Sequence, residues 1–215
     1  MLRVSNLLLS LSLLSLSGIV LPSASLVIAA EPTEGKPDNA VGAFSDEFDR
    51  DQVGPNWVAS KGKWTIVDGV LTGQELAADK HAAVLTLARP NRNSVIVFDF
   101  MLDGTDGFHL SFNKQAGHLF RIIVAPDSVT INLDKDKQAP QSKAVQIARS
   151  DANFAQGTWY TMTVSVVQDD VSVEVSNGIK LAGTHASLDQ PKPNYRFVTR
   201  GKTLRLDDVK IRDLE

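Results

Sequence analysis

The sequence predicts an all-β protein, a sandwich of two antiparallel sheets, and three observations carry that prediction. From Phe44 onward, about a dozen short runs alternate apolar and polar residues with a period of two, the repeat of a strand with one buried face. Turn dipeptides such as Asp68-Gly69 and Asn177-Gly178 separate these runs at intervals of roughly ten residues. Helical periodicity is almost absent over the same stretch. No internal repeat is visible, which argues against a propeller or solenoid and leaves a closed barrel as the second reading.

The chain opens differently. Arg3 precedes a charge-free Leu/Ser-rich stretch from Leu7 to Val20, and small residues follow up to Ile28-Ala29-Ala30. This layout is that of a secretory signal peptide over residues 1–30, and it predicts export to the periplasm or medium. The apolar run is too short and too serine-rich to make a convincing membrane span, and an uncleaved N-terminal anchor is the plainer alternative. No Cys follows it, so a lipid-anchored terminus is excluded. Residues 31–43 hold Pro32, Gly35, Pro37 and Gly42 without periodicity and read as a flexible linker, leaving 44–215 as the β-sandwich domain.

Composition narrows the function. Arg3 is the only charge in the first 30 residues, so its removal takes the net charge from −3 to about −4. A weakly acidic chain with scattered Lys and Arg is not built to bind nucleic acid. Cys is absent, which excludes disulfide scaffolds, Cys-zinc sites and thiol nucleophiles. The phosphate loop, the dinucleotide glycine fingerprint, the serine nucleophile elbow and the zinc-protease helix motif are all missing.

Along the domain, Lys63–Val67 and Gly69–Thr72 flank Asp68-Gly69 as a hairpin. Residues 83–88 form a strand ended by Pro90-Asn91. Residues 94–102 form the longest strand candidate, with Ile96, Phe98, Phe100 and Leu102 on one face. Asp103-Gly104 and Asp106-Gly107 predict the next turn. Phe108, Leu110 and Phe112 then alternate with His109, Ser111 and Asn113. Strands follow over 119–124 and 128–133, and a short one near 144–148. Met162, Val164 and Val166, then Val171, Val173 and Val175, mark two more before the Asn177-Gly178 turn. Residues 195–200 and 203–211 form the last two strands, joined at Gly201. Asp208 interrupts the alternation between Leu206 and Val209 and predicts a bulge.

The polar face of 107–136 is the informative one. A solvated sheet face needs only Thr, Lys and Glu, yet this one offers His109, Ser111 and Asn113 on one strand and Thr130 and Asn132 on another. Donors and acceptors of this kind fit sugar hydroxyls. The plainer reading is a solvated outer face. Arg121 shares its parity with Leu119 and Ile123, so either its strand is covered on both sides or a bulge shifts the register.

Phe44-x-x-x-Phe48, Trp57 and the run Gly62 to Leu71 carry a family resemblance, together with Gly157-Thr158-Trp159-Tyr160 and the closing Leu206-Asp207-Asp208-Val209-Lys210-Ile211. These motifs resemble a concanavalin A-like (laminin G-like) jelly roll, and within it the 3-keto-disaccharide hydrolase domain family, whose members are often labelled family 16 glycoside hydrolase-like. The resemblance implies a carbohydrate ligand on the concave face of one sheet. It leaves open a glycoside hydrolase, a non-catalytic carbohydrate-binding module, and an adhesion or assembly domain with a protein partner. The Glu-x-Asp-x-x-Glu signature of family 16 enzymes does not occur, so no catalytic carboxylates carry over.

For chemistry on a keto-sugar, His109 is the candidate base and Arg121 the electrostatic stabiliser. Ser111, Asn113, His118, Thr130, Asn132, Asp134 and Tyr195 are the candidate substrate contacts, with Trp57 a further stacking candidate. Trp64 and Trp159 read as core or sheet-edge aromatics. No spacing among the four His predicts a catalytic metal. Asp46, Asp49, Asp207 and Asp208 bring carboxylates from both chain ends and read either as a structural calcium site or as ordinary solvated acids.

Overall fold

The structure, a computed structural model, describes residues 42–215. The expected signal peptide and nearly all of the linker lie outside the described residues.

The described strands in chain order are β1 (Ala43–Asp46), β2 (Trp57–Lys61), β3 (Lys63–Val67), β4 (Val70–Gln74), β5 (Ala83–Leu87), β6 (Asn93–Lys114) and β7 (Gly117–Ala125). They continue with β8 (Ser128–Leu133), β9 (Val145–Asp151), β10 (Trp159–Val167), β11 (Asp170–Val175), β12 (Lys180–Thr184) and β13 (Tyr195–Leu214). Every pairing between them is antiparallel. The Asp68-Gly69 hairpin forms as its chemistry requires, with both residues in the left-handed region (φ 52° and 75°), the type I′ geometry that matches strand twist.

Two layers emerge from the pairing. The first runs β12, β11, β10, the front half of β6, the back half of β13, β4 and β3, with β1 also against β13. The second runs β2, β5, the front of β13, the back of β6, β7, β8 and β9. Strands β6 and β13 belong to both, passing from one layer to the other side by side.

Here the structure corrects the sequence reading. Residues 103–107 do not end a strand, and Gly201 does not join two. Both lie inside long strands, at a shared bend where the pairing register shifts between Thr199 and Thr203. Thr105 holds the bend: its hydroxyl donates to the Arg200 carbonyl at 2.6 Å and contacts the Thr199 hydroxyl at 2.8 Å. Gly107 is required there. Its φ is 126°, and a Cβ would stand 2.2 Å from the Val124 carbonyl oxygen. The Asp-Gly pairs mark a bend within a strand pair, a second use of the same residues.

The core lies between the layers. Ile96, Phe98, Phe100 and Leu102 face it from one side, and Phe108, Leu110 and Phe112 from the other, all essentially without exposure. Phe98 meets Phe197 across the gap edge-on at 5.2 Å, and Phe100 meets Phe108 at 5.1 Å. Tyr195 belongs to this core, which corrects its assignment as a sugar contact. It pairs opposite Phe112, is wholly buried, and donates its hydroxyl to Ser94 Oγ at 2.8 Å. Trp57 is likewise interior, with its indole N–H on Asp46 Oδ2 at 2.8 Å. Trp64 is buried, whereas Trp159 is 39% exposed.

A bulge resolves the parity of Arg121. Phe112 pairs with Phe120, but Asn113 pairs with His118, so Leu119 is the extra residue and turns inward. Arg121 therefore faces outward with Ile123, not inward with Leu119. A second irregularity at Asp208, where φ is 54° and the register shifts, accounts for the broken alternation near the C-terminus.

Candidate functional site

The outward residues of the second layer fall into rows, because cross-strand partners share a face. One row reads Thr86, Arg196, Ser111, Arg121, Asn132 and Gln146 across β5, β13, β6, β7, β8 and β9. The next reads Val84, Val198, His109, Ile123, Thr130 and Arg149. His109, Ser111, Arg121, Thr130 and Asn132 thus stand together on one surface, in adjacent rows.

The first row holds an unusual concentration of unspent hydrogen-bonding capacity. Ser111 is 1% exposed, and its hydroxyl has no partner. Arg196 Nε and Asn132 Oδ1 are buried and unpartnered in the same row. A buried polar atom left unpaired costs about 1–3 kcal/mol, so folds rarely keep several in one line without a use for them.

A third row caps the face. His118 Nδ1 lies 2.8 Å from Asn113 Oδ1, and Asn113 Nδ2 donates to Asn194 Oδ1 at 2.6 Å. With the amide oriented this way, its oxygen accepts from the imidazole, which places the proton on Nδ1 and leaves the Nε2 lone pair of His118 free. Arg121 is committed elsewhere: it forks onto Asp134, with Nε to Oδ2 at 2.9 Å and Nη2 on Oδ1. Lys114 pairs with Asp136 at 2.6 Å and holds that carboxyl below its ordinary range.

His109 sits between Val198 and Ile123 in its row and is half-buried. Burial, reinforced by the positive charges of Arg121 and Arg200, lowers its pKa to about 4. Burial also lowers that of His118, against the opposing pull of Asp134. Both rings are neutral near pH 7 and present a donor and an acceptor rather than a charge.

Two clefts adjoin the end of the face. The larger, about 440 Å³, lies among Lys114, His118, Asp134, Lys143 and His185. The smaller, about 250 Å³, lies among Gly117, His118, Asp134, Lys135 and Lys137. His118 and Asp134 line both, whereas His109, Ser111, Asn113 and Arg121 line neither. The candidate residues share a face, then, and not a single cavity. Tyr195 stands apart from all of them, on the core side.

Two contributors escaped the sequence reading. Arg196 and Asn194 lie on β13 and its approach, and β13 joins β6 only through long-range pairing. The signal was the alternation of Tyr195 and Phe197 with Arg196, Val198 and Arg200. It marked an outward arginine without saying which surface received it. Among the acids read as a calcium site, Asp46 is fully engaged by the Phe48 amide, Arg50 and Trp57. Among the described residues, no group of three or more His, Asp or Glu is placed to hold a metal ion, and no helix is long and apolar enough to cross a membrane.

No family model and no curated protein matches this sequence. Solved structures do resemble it. A carbohydrate binding module, CBM66, from Bacillus subtilis superposes with a TM-score of 0.53 at 11% identity, covering 74% of this chain and 92% of that one. SCLam, a non-specific endo-beta-1,3(4)-glucanase from family GH16, gives 0.59 at 10% identity over 80% of this chain and 90% of its own. A laminarinase from Flavobacterium sp. UMI-01 gives 0.57 at 12% identity over 79% and 99%. At these identities the likeness concerns the fold, and that fold is the concanavalin A-like jelly roll.

Proposed function

We propose that this chain is an exported carbohydrate-recognition domain that binds sugar on the outer face of its second layer. The observation that carries the reading is the row of buried, unpartnered polar atoms at Arg196, Ser111 and Asn132. A guanidinium N–H donates, an amide oxygen accepts, and a hydroxyl does both. Adjacent sugar hydroxyls, each donor and acceptor at once, complement that set once the half-buried side chains of Arg196 and Asn132 turn outward to meet them. Asn113, Asn194 and His118 extend it with a hydrogen-bonded chain whose outer end is an imidazole lone pair. The names of the similar structures, a carbohydrate binding module and glucanases, support the ligand class. The leader-like first 30 residues support export.

Binding accounts for this face better than two-carboxylate hydrolysis. The nearby acids Asp134 and Asp136 are both tied to cations, Arg121 and Lys114. A general acid in that chemistry needs a raised pKa, and the bond from Lys114 holds Asp136 low instead. The hydrolase reading for a keto-glycoside keeps one supporting observation, the tautomer of His118 fixed by Asn113. In that case the base is His118, since His109 at about 4 binds a proton too weakly. Arg121, neutralised by Asp134, then acts through that pair.

Affinity electrophoresis of the full chain in gels carrying different polysaccharides tests the proposal. Retardation by at least one glycan, reduced about tenfold in affinity by Asn132→Ala, is the expected result. Unchanged mobility in every glycan, or retardation indifferent to Asn132→Ala, contradicts it. Assay of the same mixtures for released sugar, with and without His118→Ala, separates enzyme from binder.

A further inference from the structure

The chain as a whole is acidic, with a net charge of −3, yet the candidate face is not. Its cations divide into two groups. Arg121 and Lys114 are neutralised by Asp134 and Asp136, and Arg149 lies 3.4 Å from Asp151. Arg196, Arg200, Lys135, Lys137 and Lys143 have no carboxylate partner among the described residues. Arg196 is the important one. It is half-buried, its Nε is fully enclosed and unpartnered, and Ser111 beside it holds an enclosed, unpartnered hydroxyl. Arg200 follows on the same strand, close enough for its charge to be felt at His109. Lys135 and Lys137 line the smaller cleft beside His118.

A neutral sugar explains an unpartnered serine and asparagine. It does not explain a guanidinium left without a counter-charge in a partly enclosed position, where desolvating a cation is costly unless an anion meets it. We infer that the face takes an acidic glycan, one whose sugars carry an anionic group, with that group on the outer, Nη end of the Arg196 guanidinium and the following residues running past His118 towards Lys135 and Lys137. The guanidinium presents parallel N–H donors to two oxygens of one anionic group, a geometry shared by carboxylates and sulfate esters. This inference rests on the reading of the same face as a sugar site.

Titration calorimetry of the full chain tests it with three probes: polygalacturonate for carboxylates, dextran sulfate for sulfate esters, and laminarin for a neutral glucan. Binding to either charged polymer and not to laminarin is expected. Arg196→Gln should weaken it about tenfold or more, while Arg205→Gln on the opposite layer leaves it unchanged. Weakening of the charged-polymer complex by Arg200→Gln as well, at unchanged melting temperature, supports the same placement. The charged polymer that binds identifies the source of the anionic group. Binding to laminarin alone, insensitive to Arg196→Gln, overturns the acidic-glycan inference and leaves the sugar-site reading standing. Equal loss in Arg196→Gln and Arg205→Gln marks non-specific charge attraction and overturns it too. No binding to any of the three overturns both.

Discussion

Ser111 is the residue on which the functional reading is most exposed to test. Its hydroxyl is enclosed and makes no hydrogen bond, so in the free protein it contributes nothing to stability that Ala would lack. Ser111→Ala should therefore leave the melting temperature unchanged or raise it slightly, while weakening glycan affinity. A thermal scan beside a binding isotherm reads both, and a large loss of stability would show that the hydroxyl has a structural partner after all. His109 gives a second test. Its folded pKa of about 4 lies below the ordinary 6.5. Between those values the unfolded chain binds a proton that the folded chain refuses, so stability falls as pH drops from about 6.5 towards 4 and is unaffected above that window. His109→Gln should flatten this part of the stability curve. Denaturant midpoints at pH 7, 5.5 and 4.5 measure it, and an unaltered slope in the variant would remove His109 from the account. Most of the face was legible at this scale, because period-two alternation sets the direction of His109, Ser111, Asn113, Thr130 and Asn132 without any knowledge of the fold. Tyr195 was misread as a sugar contact, although its own parity with Phe197 pointed inward.

Strand positions were readable for the same reason, and strand ends much less so. Gly104, Gly107 and Gly201 carry the chemistry of turns, and local sequence cannot distinguish a turn from a bend in a strand that remains paired. That distinction depends on β6 and β13 meeting at a distance in sequence, Gly201 opposite Thr105 and Thr203 opposite Gly104. The bulge at Leu119 was foreseeable only as a conflict of parity, and its position became definite once Asn113 paired with His118. Gly107 ties these elements to the site, since its bare backbone lets β7 close on β6 beside the row of His109 and Ile123. Gly107→Ala combines a disfavoured φ with a Cβ 2.2 Å from the Val124 carbonyl. It should destabilise the fold by about 2 kcal/mol or more and weaken glycan binding by displacing β7. Chemical denaturation and a binding assay on the soluble variant check this, and native stability with native affinity would show that the bend tolerates a side chain.

At the scale of the whole molecule, two layers joined by two shared strands make a stiff frame for an open surface. Phe98 lies in one layer and packs against Phe108 and Phe197 of the other. Phe98→Ala should cost about 3–5 kcal/mol through lost contacts and the cavity left behind, and a loss below about 1 kcal/mol would mean the layers are not held together there. Charge is unevenly paired as well: in a chain acidic in total, the half-buried Arg196 of the second layer has no carboxylate partner among the described residues. Composition could report the total, but only the pairing of β13 with β6 shows that Arg196 joins Ser111. The central claim, that this outer face recognises carbohydrate, is tested most directly by amide chemical-shift mapping of the isotope-labelled chain during titration with an oligosaccharide that it retains. The account predicts shifts concentrated at residues 109–113, 118–121, 130–134 and 194–200. Shifts confined to the outer face of the other layer, around Val95, Val97 and Thr161, would contradict it.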